Sequence, residues 1–455
     1  MSTPSALSRP RVPVTGLLRA AGSRVPTPSV ARLRAAVTAL FLLDGAVFGS
    51  WASRVPDVAA QVGATHSQLG VALLCLSLGA LAAMRATGAL SARFGAGPVS
   101  AAAAIAVSAG AVLPGLVSSV LALCVALFFF GAATGMVNVA ANAVGVQVEA
   151  RVGRPILSGL HAGFSFGGLA GALIGGAASS LLGVAPHLAL VTAAGLFVSA
   201  WVLPALLGAR RGDVEPHRPE HGARGGRRPT AVLVVLGAIA GCTAFGEGAL
   251  TDWGALLLRE QLAAPETLAA AGYAGFALAM ALGRLFGGRM LVAWGERQLL
   301  VGGTLLAALG TLAAVTTSSL WIALGGFVVV GLGLANVFPL AIARAGLLGG
   351  APGIALATTV GYTGLLGGPP AIGFLADSVG LPVALSSVAV CAVVAGFLVL
   401  TVSGQRVRLP HPRTLLDRAV ATVGGRLQPV VSGFGHGAGV YVRDLALLVA
   451  DEPGR

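Results

Sequence analysis

The chain has no lysine, and its 29 arginines and 16 acidic residues make up only 10% of 455 positions. A soluble domain carries about 25% charged residues, so too little charge is present to cover a water-exposed globule. Without lysine there is no phosphate-cradling loop of the usual kind. No serine-centred nucleophile elbow and no His/Cys cluster appears either. An enzyme is therefore not expected, nor a metal or cofactor. Cysteine is scarce as well: Cys75, Cys124, Cys242 and Cys391 all fall inside apolar stretches at spacings that match no metal site. They read as small apolar fillers rather than as disulfides. The first 34 residues lack a short apolar core followed by a small-residue cleavage site, so no removed leader is expected.

What the chain has in excess is apolar surface. Hydrophobic residues are 56% of the total, mean hydropathy is +0.88, and there are 67 glycines, which let membrane helices approach closely. Twelve apolar segments approach the ~20 residues that span a bilayer. They run over 33–53, 68–88, 98–117, 119–145, 157–180, 184–207, 231–256, 267–287, 298–317, 319–343, 353–376 and 382–403. The expectation is an all-α membrane protein of 12 transmembrane helices in two six-helix repeats. Its parts are a basic tail (1–32), a first bundle (33–207), a linker (208–230), a second bundle (231–403) and a C-terminal tail (404–455).

The net charge of +13 is concentrated in three places. Residues 1–34 hold six Arg and no acid, 208–229 six Arg against three acids, and 404–455 seven Arg against four acids. With twelve alternating spans all three lie on one side, which predicts a multi-pass protein of the inner membrane with both termini cytoplasmic. These segments have almost no aromatic residues, so nucleic acid is not an expected partner. The lipid bilayer is, and the chain is expected to act as a monomer.

The two halves echo one another. Asp44-Gly45-Ala46-Val47 with Trp51 is answered by Glu247-Gly248-Ala249-Leu250 with Trp253. Gly88–Gly95 is answered by Gly288–Gly295, Gly135–Val139 by Gly333–Val337, and Arg85 by Arg284. Two parallel six-helix repeats joined by a basic linker resemble the major facilitator superfamily, over about residues 33–403. The resemblance implies two bundles rocking about a central site near mid-membrane. The loop Gly88–Gly95 looks like the family's signature loop, although Ala92 stands where an Asp is usual and Val292 where the second copy would have it. The stretches Gly135–Glu149, Arg154–Ala172 and Phe245–Trp253 resemble the branch of rhizopine-related membrane proteins, near the fucose:proton symporters. Such a branch implies sugar- or polyol-like solutes.

Residues that could carry transport chemistry are few. A carboxylate inside a span costs at least ~2.5–3.5 kcal/mol on insertion scales, so it tends to persist where it works. Asp44 and Glu247 are candidates for proton coupling, with His161 as a third; packing, a solvated mouth and a carbonyl bond are their respective structural alternatives. Thr134, Asn138 and Asn142 recur every four residues on helix four and could either line a solute path or bond another helix. Asn336, the repeat partner of Asn138, inherits that argument, and Tyr362 adds a smaller polar face beside Thr358 and Thr359. Gly367–Pro370 suggests a break in helix eleven. Arg85, Arg93, Arg284 and Arg297 are candidates for the gating loops. The first reading is proton-coupled uptake of a small polar solute. A drug or metabolite exporter of the same fold and a non-transporting membrane sensor or scaffold stand as alternatives. Gly131, where exporters commonly have Arg, and the absence of Pro from Gly167–Gly176 count against export.

Overall fold

The computed structural model describes residues 28–152, 156–209 and 230–403. The expected C-terminal tail, nearly all of the N-terminal tail and linker, and Arg154 lie outside the described residues. Twelve α-helices follow in order: α1 (Val30–Val62), α2 (His66–Phe94), α3 (Ala96–Gly110), α4 (Val120–Val152), α5 (Leu157–Ser179) and α6 (Val184–Leu207) form the first half. The second half has α7 (Thr230–Leu262), α8 (Glu266–Trp294), α9 (Glu296–Thr316), α10 (Leu320–Leu334), α11 (Val337–Val379) and α12 (Leu381–Ser403). No strand occurs among the described residues.

Helix ends follow local chemistry. Ser29 caps α1 by accepting the Arg32 N–H at 3.3 Å, and Gly63, at φ 62°, takes the left-handed turn that ends it. Thr65 and Gln68 then form a capping box that starts α2. The expected second span was too short: α2 runs on through Gly88-Ala-Leu-Ser-Ala-Arg-Phe94, leaving Gly95 alone as the joint to α3.

Among the described residues, eleven helical stretches are long and apolar enough to cross a membrane, counting Leu320–Gly350 as one. The twelfth is the arm of α11 beyond Gly350, where φ 62° and ψ −152° break the helix. That arm runs parallel to α7, with Gly237 against Val360, Gly241 against Gly361 and Phe245 against Gly368. It runs antiparallel to α2, where Gly70 meets Pro369 and Gly373 meets His66. Both directions are those of an eleventh span. The expected break at Gly367–Pro370 is absent, because α11 continues through Pro369 and Pro370; the glycine at positive φ is the true corner.

The repeat register is 200 residues, since α7 and α8 begin and end 200 positions after α1 and α2. Gln61 and Gln261 confirm it, donating to the carbonyls of Gly115 and Val117 and of Val315 respectively. Within each half, glycines bring backbones together. Gly45 and Gly49 of α1 face Phe164 and Gly168 of α5, while Gly167 and Gly171 return the contact to Leu42 and Ala46. Such seams tie a half together by close packing.

The halves meet differently. The end where α1 begins and α12 ends is the tail face; the opposite end is the far face. Contacts between halves gather toward the far face, at Gly70–Pro369, Gly176–Ala270 and Gly168–Tyr273. Nearer the tail face Leu42, Leu78, Asn138 and His161 are exposed. The far-face contacts and these tail-side exposures fit two halves that part toward the tail face.

Candidate functional site

Asp44 sits near the middle of α1, and only 7% of it is exposed. Trp51, two turns along the same face, meets Phe130 of α4 at 6.3 Å between ring centroids, so that face points into the first half. Asp44 Oδ1 is buried with no hydrogen-bond partner. A buried carboxyl oxygen left without a partner is costly to hold, which sets Asp44 apart from the other residues of α1.

Glu247 and Arg284 meet in the second half. Arg284 Nη2 donates to both Glu247 carboxylate oxygens, at 3.4 and 3.2 Å, and its Nε donates to the Ala335 carbonyl at 3.4 Å. Both partners are more than a third exposed, so the pair presents a cation and an anion at mid-depth. The expected placing of Arg284 in a gating loop is corrected by this contact: it lies 10 residues before the end of α8. His161 is exposed and stacks edge-on against Phe41 at 5.2 Å. Arg284 lies within its electrostatic reach from the other half.

On α4, the exposed Leu121, Val125 and Phe129 mark the outward face. Asn138 is nine residues beyond Phe129, about half a turn away at 100° per residue, and is itself exposed. Its side chain forms no hydrogen bond among the described residues. Asn142 Nδ2 donates to the Asn138 carbonyl at 2.7 Å, and Thr134 Oγ1 to the Gly131 carbonyl at 2.9 Å. These bonds stay within α4.

Asn336 behaves otherwise, and its expected standing as the repeat partner of Asn138, across the same central site, is corrected. It sits at the joint of α10 and α11, 8% exposed, with Nδ2 donating to the Gly283 carbonyl of α8 at 3.0 Å. The true register pairs Asn138 with Phe338, two positions on. Asp44 likewise pairs with Ala244, not Glu247. Tyr362 is half-buried on α11. Arg85 is exposed within α2 without an ion pair among the described residues, Arg93 lies over the Phe94 ring at 5.3 Å, and Arg297 is exposed at the start of α9.

A far-face cluster was not expected. Arg54, 2% exposed, donates to His187 Nδ1 at 3.1 Å, Asp57 Oδ2 at 3.0 Å and the Leu182 carbonyl at 2.9 Å. Asp57 also pairs with Arg259 of the other half, which reaches Glu266 at 3.5 Å. His66 bridges Glu260 at 3.0 Å and Asp377 at 3.1 Å, and Ser67 donates to Asp377 as well. Their occurrence at span ends in both halves was the available signal. Tyr273, buried on α8 with its hydroxyl against Gly168, was also missed; Glu247 and Asp252 lie within its electrostatic reach. No group of three or more His, Cys, Asp or Glu able to hold a metal occurs among the described residues.

Two helical halves that part toward one end, with polar groups at mid-depth, define a membrane transporter. Residues 36–256 match the family model described as Major Facilitator Superfamily. An uncharacterised transporter of this type from Yersinia pestis is 35% identical over 358 residues, covering 77% of this chain and 90% of its own length. Membrane protein MosC of Rhizobium meliloti is 29% identical over 405 residues, covering 88% and 96%. The chain belongs to the major facilitator superfamily: it is a multi-pass secondary transporter, not an enzyme. Among solved structures, the nucleoside transporter NupG superposes with a TM-score of 0.65 at 12% identity, covering 82% of this chain and 100% of that one. A bacterial homologue of the human lysosomal transporter Spinster, in an inward-facing and occupied conformation, gives 0.64 at 17% identity, covering 82% and 96%.

Proposed function

We propose that this protein takes up a small, polar, hydroxyl-rich solute of the sugar or polyol type by proton-coupled alternating access. In this reading it is a monomer of the bacterial inner membrane with both termini cytoplasmic, and the halves part toward the cytoplasm. The observation that carries the reading is on α4: Asn138 is exposed, half a turn from the outward face, and its side chain makes no hydrogen bond among the described residues. A free carboxamide offers two donors and an acceptor, which suits hydroxyl groups. Asp44, with an unpartnered buried oxygen, supplies a group whose charge can change with access. Glu247, Arg284 and His161 lie where the two halves face one another and would sense that change.

The test is uptake into proteoliposomes of labelled sugars, inositols and amino sugars under an imposed pH gradient, acid outside. Accumulation that collapses with a protonophore supports the proposal. Movement indifferent to the gradient removes the proton, and movement of amphipathic drugs alone would favour export.

A further inference from the structure

His66 opens α2 in the first half, yet both of its ring nitrogens face carboxylates of the second. Nε2 lies 3.0 Å from Glu260 Oε2 on α7, and Nδ1 lies 3.1 Å from Asp377 Oδ1 on α11. Backbone packing fixes the same place, because Gly373 of α11 lies directly against the His66 carbonyl. Asp377 is fully engaged as an acceptor. Its Oδ1 also takes the His66 backbone N–H at 3.1 Å, and its Oδ2 takes the Ser67 N–H at 3.0 Å together with the Ser67 hydroxyl. A neutral imidazole carries one N–H and can serve only one of two carboxylates, whereas an imidazolium serves both. The bracket is therefore complete only with one proton more than a neutral histidine and two carboxylates hold. That proton lies between His66 and Glu260, whichever of the two carries it. Their side chains are 26% and 43% exposed, so water can deliver and remove it.

The other groups around His66 do not change in the same way. A cavity of about 400 Å³ beside it is bordered by Pro56, Ala59 and Ala60 of α1 and by Arg259 of α7. Arg259 pairs with Asp57 of α1 and Glu266 of α8, and a guanidinium keeps its charge at any pH a cell meets. The Trp253 ring lies 6.2 Å from the imidazole. On α2 itself the next charged side chain is Arg85. His187, the second imidazole of the far-face cluster, accepts from Arg54 and joins α6 to α1 within one half.

We propose that His66 makes the far-face closure a proton-sensitive latch: one added proton holds the halves together, and its loss frees them. The bracket exists only while the far face is closed, so proton binding and closure favour one another. Closure is strongest in acid and weakens as pH rises through the ordinary range of histidine, about 5 to 8. With the far face outside the cell, which rests on the orientation proposed above, the latch is a brake. Strong external acidity then holds the protein shut to the outside and limits entry just when the proton gradient is steepest.

The experiment places spin labels at Ser180→Cys and Ser318→Cys in the full-length protein, its native cysteines replaced by alanine. In nanodiscs both faces meet one pH, so the reading does not depend on orientation or on transport. Between about pH 8 and about pH 5.5, pulsed dipolar spectroscopy should show the closed-to-open ratio of the far face rising about fivefold. Glu260→Gln lets a neutral imidazole complete the bridge, because the carboxamide N–H can donate to the bare ring nitrogen. That variant should stay closed with the response cut to less than about twofold, and His66→Gln should lose the response while closing less firmly. A ratio indifferent to pH, a ratio that falls in acid, or a full response in both variants overturns the proposal. In proteoliposomes, acidifying the outside should slow uptake by the parent more than by Glu260→Gln, and equal slowing overturns the brake. Absence of uptake by both counts against the transport reading alone, because the label distances do not depend on it.

Discussion

Asn336 and Gly287 provide the sharpest test of the distinction between packing and solute contact. A Cβ added at Gly287 would fall on Asn336 Oδ1, with Cγ at 2.9 Å and Nδ2 at 3.3 Å. Overpacking of that kind costs about 1–3 kcal/mol, offset in part by the ~1 kcal/mol alanine gains over glycine inside a helix. Gly287→Ala should therefore destabilise by about 1 kcal/mol net. Asn336→Ala removes the bond to Gly283, worth about 0.6 kcal/mol and at most ~1.7 between membrane helices. In the double variant the new methyl enters the space the carboxamide vacated, so the overpacking cost disappears and the helix gain remains. A coupling of at least ~1 kcal/mol is expected, well beyond the ~0.3–0.5 kcal/mol scatter of independent sites. Reversible unfolding by steric trapping measures all four corners of the cycle, and solute affinity is measured on the same proteins. Asn138→Ala should give the opposite pattern, with affinity about tenfold weaker, near 1.4 kcal/mol, and stability unchanged. Additive costs, or an Asn336→Ala variant that loses affinity at full stability, would refute the assignment of Asn336 to a dry contact.

Asp44→Asn should abolish accumulation driven by a pH gradient while sparing solute exchange; normal accumulation in proteoliposomes would return Asp44 to a packing role. Arg259→Ala removes the cross-half contacts to Asp57, worth about 1 kcal/mol at such a half-exposed position, or roughly a fivefold population shift. Pulsed dipolar spectroscopy between labels at Ser180 and Ser318 should show that gain in the far-face-open form, and an unchanged distance distribution would dismiss the cluster as a latch. A reporter fused after Gly208 should read cytoplasm, and Ser180→Cys should react with an impermeant reagent outside intact cells; labelling only in lysed cells would invert the proposed orientation.

Most spans were legible because a bilayer demands long apolar helices, and eleven stretches among the described residues meet that demand. The repeat was legible too, but not its register. Asp44 and Glu247 were matched by chemistry, 203 residues apart, whereas the helices repeat at 200. A slip of three residues keeps roughly the same face, so the error there is one turn. For Asn138 and Asn336, 198 apart, a slip of two is about 200°. That moves a side chain from an exposed place to a buried contact. The helix break at Gly350 was hidden because hydropathy does not register a left-handed φ. The far-face cluster was hidden by distance along the chain, since Asp57 and Arg259 are 202 residues apart and Ser67 and Asp377 are 310.

The far-face closure includes ion pairs and hydrogen bonds, and this bears on how fast the protein can work. Parting about 400 Å² of oily surface into water would cost on the order of 10 kcal/mol at ~25 cal/mol per Å², added to whatever else each turnover has to overcome. Partly exposed polar pairs are different, because each guanidinium, imidazole and carboxylate that lets go is rehydrated at once, and pairs at the surface are worth only ~0–1 kcal/mol apiece. Arg259–Asp57 and His66–Asp377 therefore act as a fastening that water can undo. Solvent does part of the work of opening, and that much less is asked of whatever drives the solute across.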